Sequence, residues 1–251
     1  NYMYADHQGN IGWQAAGRVP VRARHDGLMP VPEAGGYDWT GVLPLDEMPH
    51  EFNPERGWIG TANQQPQAPN WPANGRVISF EWKVDDRYRR LTQLLEGVAR
   101  QEGGRATVAQ SWAFQQDVLS LRAVELTGLL RDALGRGGEA APALSSSAQQ
   151  AATVLLGWDG QLRAESAAAL LYAAWWQGLQ QAARSALVPA AARALISALH
   201  PHAVTGWLRE QWAAPLTAGS AGAALLERSL SEAQAKVQAL QTELAQQARG
   251  G

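Results

Sequence analysis

Hydrophobic and polar residues follow two different patterns along the 251 residues of this chain. At the amino-terminal end, apolar runs at 1–5 and 11–16 enclose a short loop rich in turn residues, which predicts a β-hairpin. Residues 17–24 continue this pattern and predict a third strand. Two further strands are predicted at 57–63 and 77–82.

Prolines interrupt the region from residue 25 to about residue 74. Nine of the 13 prolines of the chain precede residue 73. Because proline breaks helices and cannot donate to a sheet, this region is predicted to be ordered coil, anchored by tryptophans, without long helices or central strands. A long irregular segment of this kind is typically functional.

After residue 85 the apolar positions recur at helical spacing. Asp85 or Asp86 can cap the first helix, and Thr107 with Gln110 forms a capping box for the second. The predicted helices cover 86–103, 107–134 with a break, 147–158, 165–187, 190–199 and 220–247. The pattern therefore predicts an α+β chain, with strands and Trp/Pro-rich coil in 1–85 and a predominantly helical section in 86–251.

The composition of the chain excludes several classes of function. With 46% hydrophobic and 18% charged residues the chain is globular, and its net charge of −2 provides no basic surface for nucleic acid. The longest apolar run, 167–176, is about half of the roughly 20 residues that a membrane helix needs. Without cysteine there is no disulfide, thiolate metal site or cysteine nucleophile.

Local catalytic motifs are missing. The sequence has no Gly-x-Ser-x-Gly, phosphate-binding loop, dinucleotide fingerprint or paired-histidine metalloprotease motif. His200 and His202 lie two residues apart beside a proline, and they are either one half of a metal site or a solvated helix end. We expect no metal site there, because no third ligand is close in sequence.

A series of short motifs nevertheless occurs in a fixed order between residue 1 and about residue 185. They are YADHQGNIGW at 4–13, GRVP at 17–20, PVP at 30–32, YDWTG at 37–41, NP at 53–54, GWI at 57–59, NQQP at 63–66, Arg87 followed by LL at 94–95, QD at 116–117, SLR at 120–122 and WDG at 158–160. Each motif is weak by itself. Together and in this order they resemble the β subunit of the penicillin acylase family.

The resemblance implies an N-terminal nucleophile hydrolase with a four-layer αββα fold, made as a precursor that cuts itself into α and β subunits. In that family the amino-terminal serine of the β subunit attacks an amide carbonyl, and its own α-amino group acts as the base. We expect this serine, the α subunit and the last sheet segment to lie outside these residues, so that the chain is an internal fragment of a β subunit and is inactive alone. The resemblance also implies a periplasmic or extracellular location.

Two residues match positions with family roles. Asn63 corresponds to the asparagine whose amide donates to the oxyanion of the tetrahedral intermediate, and Arg87 to the arginine that orients this asparagine and the amino-terminal base. A fixed neutral donor suits acyl transfer, because it stabilises the charge that develops on the carbonyl oxygen. The alternatives are a turn asparagine and a surface arginine, with Arg89 and Arg90 as neighbouring competitors.

The resemblance implies no organic cofactor, but some family members bind Ca²⁺ between the subunits. The ligand positions correspond to Asn74 or Gly75 and to Gly27 in this sequence. An asparagine carbonyl can coordinate calcium, so Asn74 is the candidate ligand in this chain.

Two hypotheses for the function follow. The first is an acylase that hydrolyses the linear amide of a small N-acyl substrate, such as a β-lactam side chain or an acyl-homoserine lactone, with the α subunit and the rest of the β subunit as partners. These substrates would place it in antibiotic processing or in quorum quenching. The second is a non-catalytic helical interaction domain, suggested by the apolar face of the helix at 220–247.

Overall fold

The computed structural model describes residues 1–65, 77–80, 82, 84–136 and 143–250. Two compact units divide the chain, Asn1–Gln116 and Asp117–Gly251. Strands in the first unit are β1 (Tyr2–Ala5), β2 (Ile11–Gln14), β3 (Pro20–Arg22), β4 (Trp39–Val42) and β5 (His50–Phe52). Helices are α1 (Asp86–Ala99) and α2 (Val108–Gln115) in the first unit, and α3 (Leu121–Arg136), α4 (Ser146–Leu156), α5 (Ala167–Leu187), α6 (Pro201–Gln211) and α7 (Ala221–Gly250) in the second. Strands precede helices along the chain, so the predicted α+β class is confirmed.

The predicted hairpin forms between β1 and β2, which pair antiparallel with Ala5 opposite Ile11. Strand β5 adds to the other side of β2, giving the order β1-β2-β5. The predicted third strand is shorter than expected, and β3 pairs with β4 in a separate two-stranded sheet. Neither β4 nor β5 was predicted. Both are short strands at the edge of their sheets in a region of frequent prolines, and their partners are distant in sequence, so no local pattern indicates them.

The strand predicted at 57–63 is wrong. Gly57 and Asn63 have φ values of 72° and 62°, which lie in the left-handed region and cannot occur within an extended strand. The strand predicted at 77–82 is absent from residues 77–80 and 82, where the structure records bends and coil, while Glu81 lies outside the described residues.

Helix α1 ends at Ala99, before the left-handed Gly103 and Gly104. Asp85 occupies its N-cap position but makes no side-chain capping bond. The capping box of α2 is confirmed, since the Thr107 hydroxyl accepts from the backbone of Gln110 at 3.1 Å and the Gln110 side chain accepts from the backbone of Thr107 at 2.8 Å. These two bonds satisfy donors that every helix start leaves open.

The second unit has an extensive core, in which α4, α5 and α7 contact one another. Trp175 and Trp212 are buried there with parallel rings 6.5 Å apart. Most of the apolar face expected on the last helix packs inside this unit, where Leu230, Ala233 and Val237 are buried. The start predicted at Ser147 for α4 is wrong, because the helix begins at Ser146 and the side chain of Ser145 caps it. Within the described residues, no helix has the length and apolar character to cross a membrane.

The helix predicted at 190–199 is also wrong. This segment contains only a short 3-10 turn, Ala190–Ala192, and the helix forms later as α6, with Pro201 in its first turn. Proline is favoured at the start of a helix, where its missing N–H would have no partner. His200 is the N-cap residue of α6, and its ring accepts from the backbone of His202 at 3.4 Å.

Candidate active site

Asn63 lies on a turn between the sheets and α1. Its φ of 62° is in the left-handed region, which asparagine tolerates better than most residues. Its side chain is exposed. The turn therefore presents a polar amide at the surface of the first unit, which is the requirement for a donor that contacts a substrate.

Arg87, in the first turn of α1, contacts this amide. Its Nη2 donates to Asn63 Oδ1 at 2.7 Å and to the backbone oxygen of Ala62 at 3.1 Å. One terminal nitrogen donates to both acceptors, so the contact does not use two different nitrogens of the guanidinium. The competing arginines have other contacts: Arg89 lies 3.8 Å from Asp86, and Arg90 donates to Gln93 at 3.1 Å.

The contact with Arg87 fixes which end of the Asn63 amide is available. A guanidinium can only donate, so the atom that faces it must be the amide oxygen. The Nδ2 group, with its two N–H donors, then lies at the other end of the amide, away from the guanidinium. This arrangement suits stabilisation of an oxyanion, which needs a donor already fixed in place.

Close packing against α1 brings the turn within reach of Arg87. A Cβ added at Gly60 would lie 2.7 Å from Leu91 Cδ2 and 3.4 Å from Leu95 Cδ1, so a larger residue would require the turn or the end of the Leu91 side chain to move. Arg87, Leu91 and Leu95 are spaced four residues apart and share one face of the helix. The helical spacing after residue 85 predicts α1, but no pattern singles out Gly60, because a lone glycine does not indicate which element approaches it.

A cleft of about 470 Å³ opens beside Asn63. Its walls include apolar and aromatic side chains, among them Trp13, Ile78 and Trp82, and Arg18 also lines it. Among the described residues that line it, none is acidic. The cleft thus combines an amide donor, an apolar surface and one guanidinium, a combination that suits a small amphipathic ligand.

Among the described residues, the largest pKa shift lies in the hairpin loop rather than in this cleft. The Asp6 carboxylate accepts from the Tyr4 hydroxyl at 2.6 Å and from the side chain and backbone of Asn10, both at 2.9 Å. These bonds lower the pKa of Asp6 to about 2. The same contact raises the pKa of Tyr4. Asp6 therefore stays ionised near neutral pH and holds the hairpin loop, which is a structural role.

Calcium receives no support from the described residues. Asn74 and Gly75 lie outside them, and the Arg22 guanidinium packs against Gly27, where a Cβ would lie 2.8 Å from Arg22 Nε. A positive charge at this position disfavours a second cation. In the part of the chain that the structure describes, no group of three or more His, Asp or Glu residues could hold a metal ion. Calcium binding in the intact protein stays a prediction.

Comparison with known proteins gives one consistent result. The sequence profile of the penicillin amidase family matches residues 1–249. An acyl-homoserine lactone acylase, QuiP from Pseudomonas syringae pv. syringae (strain B728a), is 32% identical over 179 residues, which are 68% of this chain and 20% of that protein. Penicillin G acylase of Escherichia coli is 38% identical over 113 residues, which are 45% of this chain and 12% of that protein.

Matches that cover more of this chain point to the same family. The penicillin acylase 2 proenzyme of Pseudomonas sp. (strain SE83) is 30% identical over 244 residues, covering 93% of this chain and 29% of that protein. Thermostable penicillin G acylase from Alcaligenes faecalis superposes with a TM-score of 0.64 at 21% identity, over 94% of this chain and 46% of that chain. This likeness shows the fold expected from the motifs. The chain spans between about an eighth and a third of the curated relatives named here.

Proposed function

Because this chain belongs to the penicillin amidase family, we propose that the intact protein is an acylase that hydrolyses the linear amide of a small N-acyl compound. The named relatives are penicillin acylases and acyl-homoserine lactone acylases. The observation that carries the proposal is the bond from Arg87 Nη2 to Asn63 Oδ1, because it joins the two residues assigned to the site and directs the Asn63 N–H groups away from the guanidinium.

The proposed reaction follows the family's chemistry. A serine oxygen, expected outside these 251 residues, bonds to the amide carbon while the α-amino group takes its proton. The carbonyl oxygen becomes an oxyanion and accepts a hydrogen bond from Asn63 Nδ2. When the intermediate collapses, the C–N bond breaks and the proton passes to the leaving amine. Water then attacks the acyl-serine ester and releases the acid, again through an oxyanion at the same place.

In this reaction Asn63 stabilises charge and Arg87 orients Asn63. A donor that is already fixed needs no reorganisation when the charge appears, which is why it acts more on the transition state than on the ground state.

The partners are proposed on two grounds. Membership of a family whose precursors are processed into subunits implies further polypeptide around this chain. The first unit also exposes large aromatic side chains on its strands, with Tyr2 71%, Trp39 66% and Phe52 63% accessible. Such surfaces are typically covered by other parts of a protein. We propose that the α subunit and the rest of the β subunit cover them. A location outside the cytoplasm rests on the family resemblance alone.

Substitution of Asn63 tests the function. In the intact enzyme, Asn63→Ala should lower kcat by about 10²–10³-fold, the usual effect of losing one oxyanion donor. Asn53→Ala is the matched control, because Asn53 also has a positive φ of 46° but bonds to Asn10 and Ile11 in the sheet. Turnover of a chromogenic N-acyl amide is measured after gel analysis of precursor cleavage. Equal losses of kcat at the two positions would contradict the assignment.

Activity of the isolated chain gives a second test. We propose that the serine nucleophile lies outside these 251 residues, so the chain alone should show no turnover of any N-acyl substrate. If the purified chain hydrolyses an N-acyl substrate and Asn63→Ala abolishes this activity, the proposal that the nucleophile lies outside the chain is wrong.

Arg18 provides a way to distinguish the two substrate classes. A β-lactam nucleus carries a carboxylate, whereas a homoserine lactone is neutral. If the cleft takes the anionic class, Arg18→Gln should lower kcat/KM for an N-acyl amino acid more than for its methyl ester. A charge-assisted hydrogen bond of about 1.5–3 kcal/mol corresponds to about 10- to 150-fold. Arg105→Gln is the control, since Arg105 is exposed outside the cleft. Equal effects on acid and ester favour a neutral substrate.

A further inference from the structure

Gln64 folds back over the backbone that leads to Asn63. Its Oε1 accepts from the backbone N–H of Ala62 at 2.7 Å, and its Nε2 donates to the backbone oxygen of Gly60 at a longer 3.5 Å. The side chain is half-buried, unlike those of its neighbours Asn63 and Gln65, which are exposed. These bonds link a side chain to backbone groups on the far side of Asn63.

Together with Arg87, these bonds hold three consecutive peptide groups. The Gly60 oxygen belongs to the peptide group between residues 60 and 61, the Ala62 N–H to the next, and the Ala62 oxygen to the one that enters Asn63. Gln64 bonds the first two, and Arg87 Nη2 donates to the third at 3.1 Å. A turn outside any strand or helix thus obtains the backbone bonds that regular structure would otherwise supply.

We infer that Gln64 is a positioning residue for the reaction, which fixes the backbone before Asn63 and thereby the direction of the Asn63 amide. This inference rests on the proposed role of Asn63 as the oxyanion donor. Arg87 alone holds the amide oxygen and one carbonyl, and it leaves the peptide group between residues 61 and 62 free to rotate. The short bond from Ala62 to Gln64 Oε1 removes that rotation. Because the left-handed region is narrow for any residue except glycine, a turn held on both sides favours one orientation of the amide.

The role predicts a particular kinetic effect. Loss of the Gln64 acceptor should let the Asn63 amide move by a fraction of an ångström to about 1 Å, and a displacement of this size costs up to about 10² in rate. The effect should fall on kcat, because the oxyanion exists only in the transition state and its neighbouring intermediates. A residue that merely bound substrate would instead change KM.

The test uses the intact, processed enzyme with a chromogenic N-acyl amide. Gln64→Met keeps the length of the side chain and removes its amide, and we expect kcat to fall by about 10- to 100-fold with KM little changed. Gln65→Met is the matched control, because Gln65 is the exposed neighbour of the same type and does not line the cleft beside Asn63. If Gln64→Met is not processed, Gln64→Ala removes the same acceptor without added bulk.

A double-substitution cycle separates positioning from a general structural role. In the Asn63→Ala background, Gln64→Met should cause no further loss of kcat, since no donor remains to be positioned. An equal loss in both backgrounds, or a change confined to KM, would overturn the inference for Gln64. If Asn63→Ala itself leaves kcat unchanged, the proposed function fails, and this outcome is distinguishable because it does not involve Gln64.

Discussion

Replacing Gly60 with alanine should separate the Asn63 turn from α1. Gly60 packs directly on this helix, and an added Cβ would lie 2.7 Å from Leu91 Cδ2. Favourable contact between two carbon atoms begins at about 3.5 Å. The two groups must therefore move apart by about 0.8 Å, the difference between these separations. Part of this movement can come from the Leu91 side chain, because the clashing atom is its far end.

The magnitude follows from that displacement. If the turn rather than Leu91 yields, Asn63 moves by nearly 1 Å from Arg87, and kcat should fall by up to about 10²-fold. The added methyl group should also lower the free energy of unfolding by about 1–3 kcal/mol, the usual cost of overpacking. Movement of Leu91 alone would keep kcat close to that of the unmodified enzyme.

Kinetics and thermal unfolding of the processed enzyme test this reasoning together. Gly97→Ala is the control, since Gly97 lies on the same helix with no heavy atom within 4 Å of an added Cβ, and the change should raise stability by about 0.5–1 kcal/mol without altering kcat. Leu91→Ala should restore activity to Gly60→Ala by making room. If Gly60→Ala retains full kcat, the prediction that the turn moves away from α1 is wrong. If it lowers kcat and Leu91→Ala fails to rescue the defect, this packing does not position Asn63.

Three shorter predictions follow. Arg87→Lys should lower kcat by up to about 10²-fold, because a shorter side chain with a point charge replaces the guanidinium, while Arg89→Lys should leave kcat unchanged; similar kcat values for both variants would exclude Arg87 from the site. The folded-state pKa of Asp6 is about 2, below the ordinary 3.8, so its support of the hairpin is present above pH 3.8 and is lost as the pH falls through about 2; an NMR titration of Asp6 with an ordinary midpoint would contradict this. Ser229→Ala should destabilise the protein by about 1–3 kcal/mol, since the buried Trp175 N–H loses its acceptor at 3.0 Å; urea unfolding measures the loss, and no change in the midpoint would count against it.

Local signals predicted the parts of the fold that depend on neighbouring residues. The capping box at Thr107 forms because both partners lie within one helical turn. The hairpin of β1 and β2 forms because a short loop joins two runs of similar length. In contrast, β5 is stabilised by pairing with β2 about 40 residues earlier, a contact that no periodicity encodes. The helix predicted at 190–199 forms instead as α6, with Pro201 in its first turn, because a proline by itself does not indicate whether a helix starts or ends beside it.

The candidate site could be predicted only through the order of the motifs. Asn63 and Arg87 are 24 residues apart, and neither residue is unusual in its own surroundings. Residue spacing could not show that one nitrogen of Arg87 would reach both Asn63 and Ala62, since this depends on how the turn packs against α1. The same limit explains why the sequence does not indicate Gly60 or Gln64. The role of Gly60 depends on the helix that packs against it, and the role of Gln64 depends on the backbone groups to which it bonds.

The wrongly predicted strand at 57–63 and the candidate site coincide, and this coincidence has a physical reason. The residues at 57–62 favour a strand by their composition, but a strand would place alternate side chains on opposite faces of a sheet and would leave Asn63 in extended backbone. Presenting the Asn63 amide with its oxygen toward Arg87 instead needs a left-handed residue, close approach at Gly60 and side-chain bonds in place of a ladder. Local preference is overruled where a particular side-chain direction is needed, and such exceptions concentrate at functional sites. The left-handed backbone at Asn63 fits the role proposed for this residue, which the order of the motifs selects.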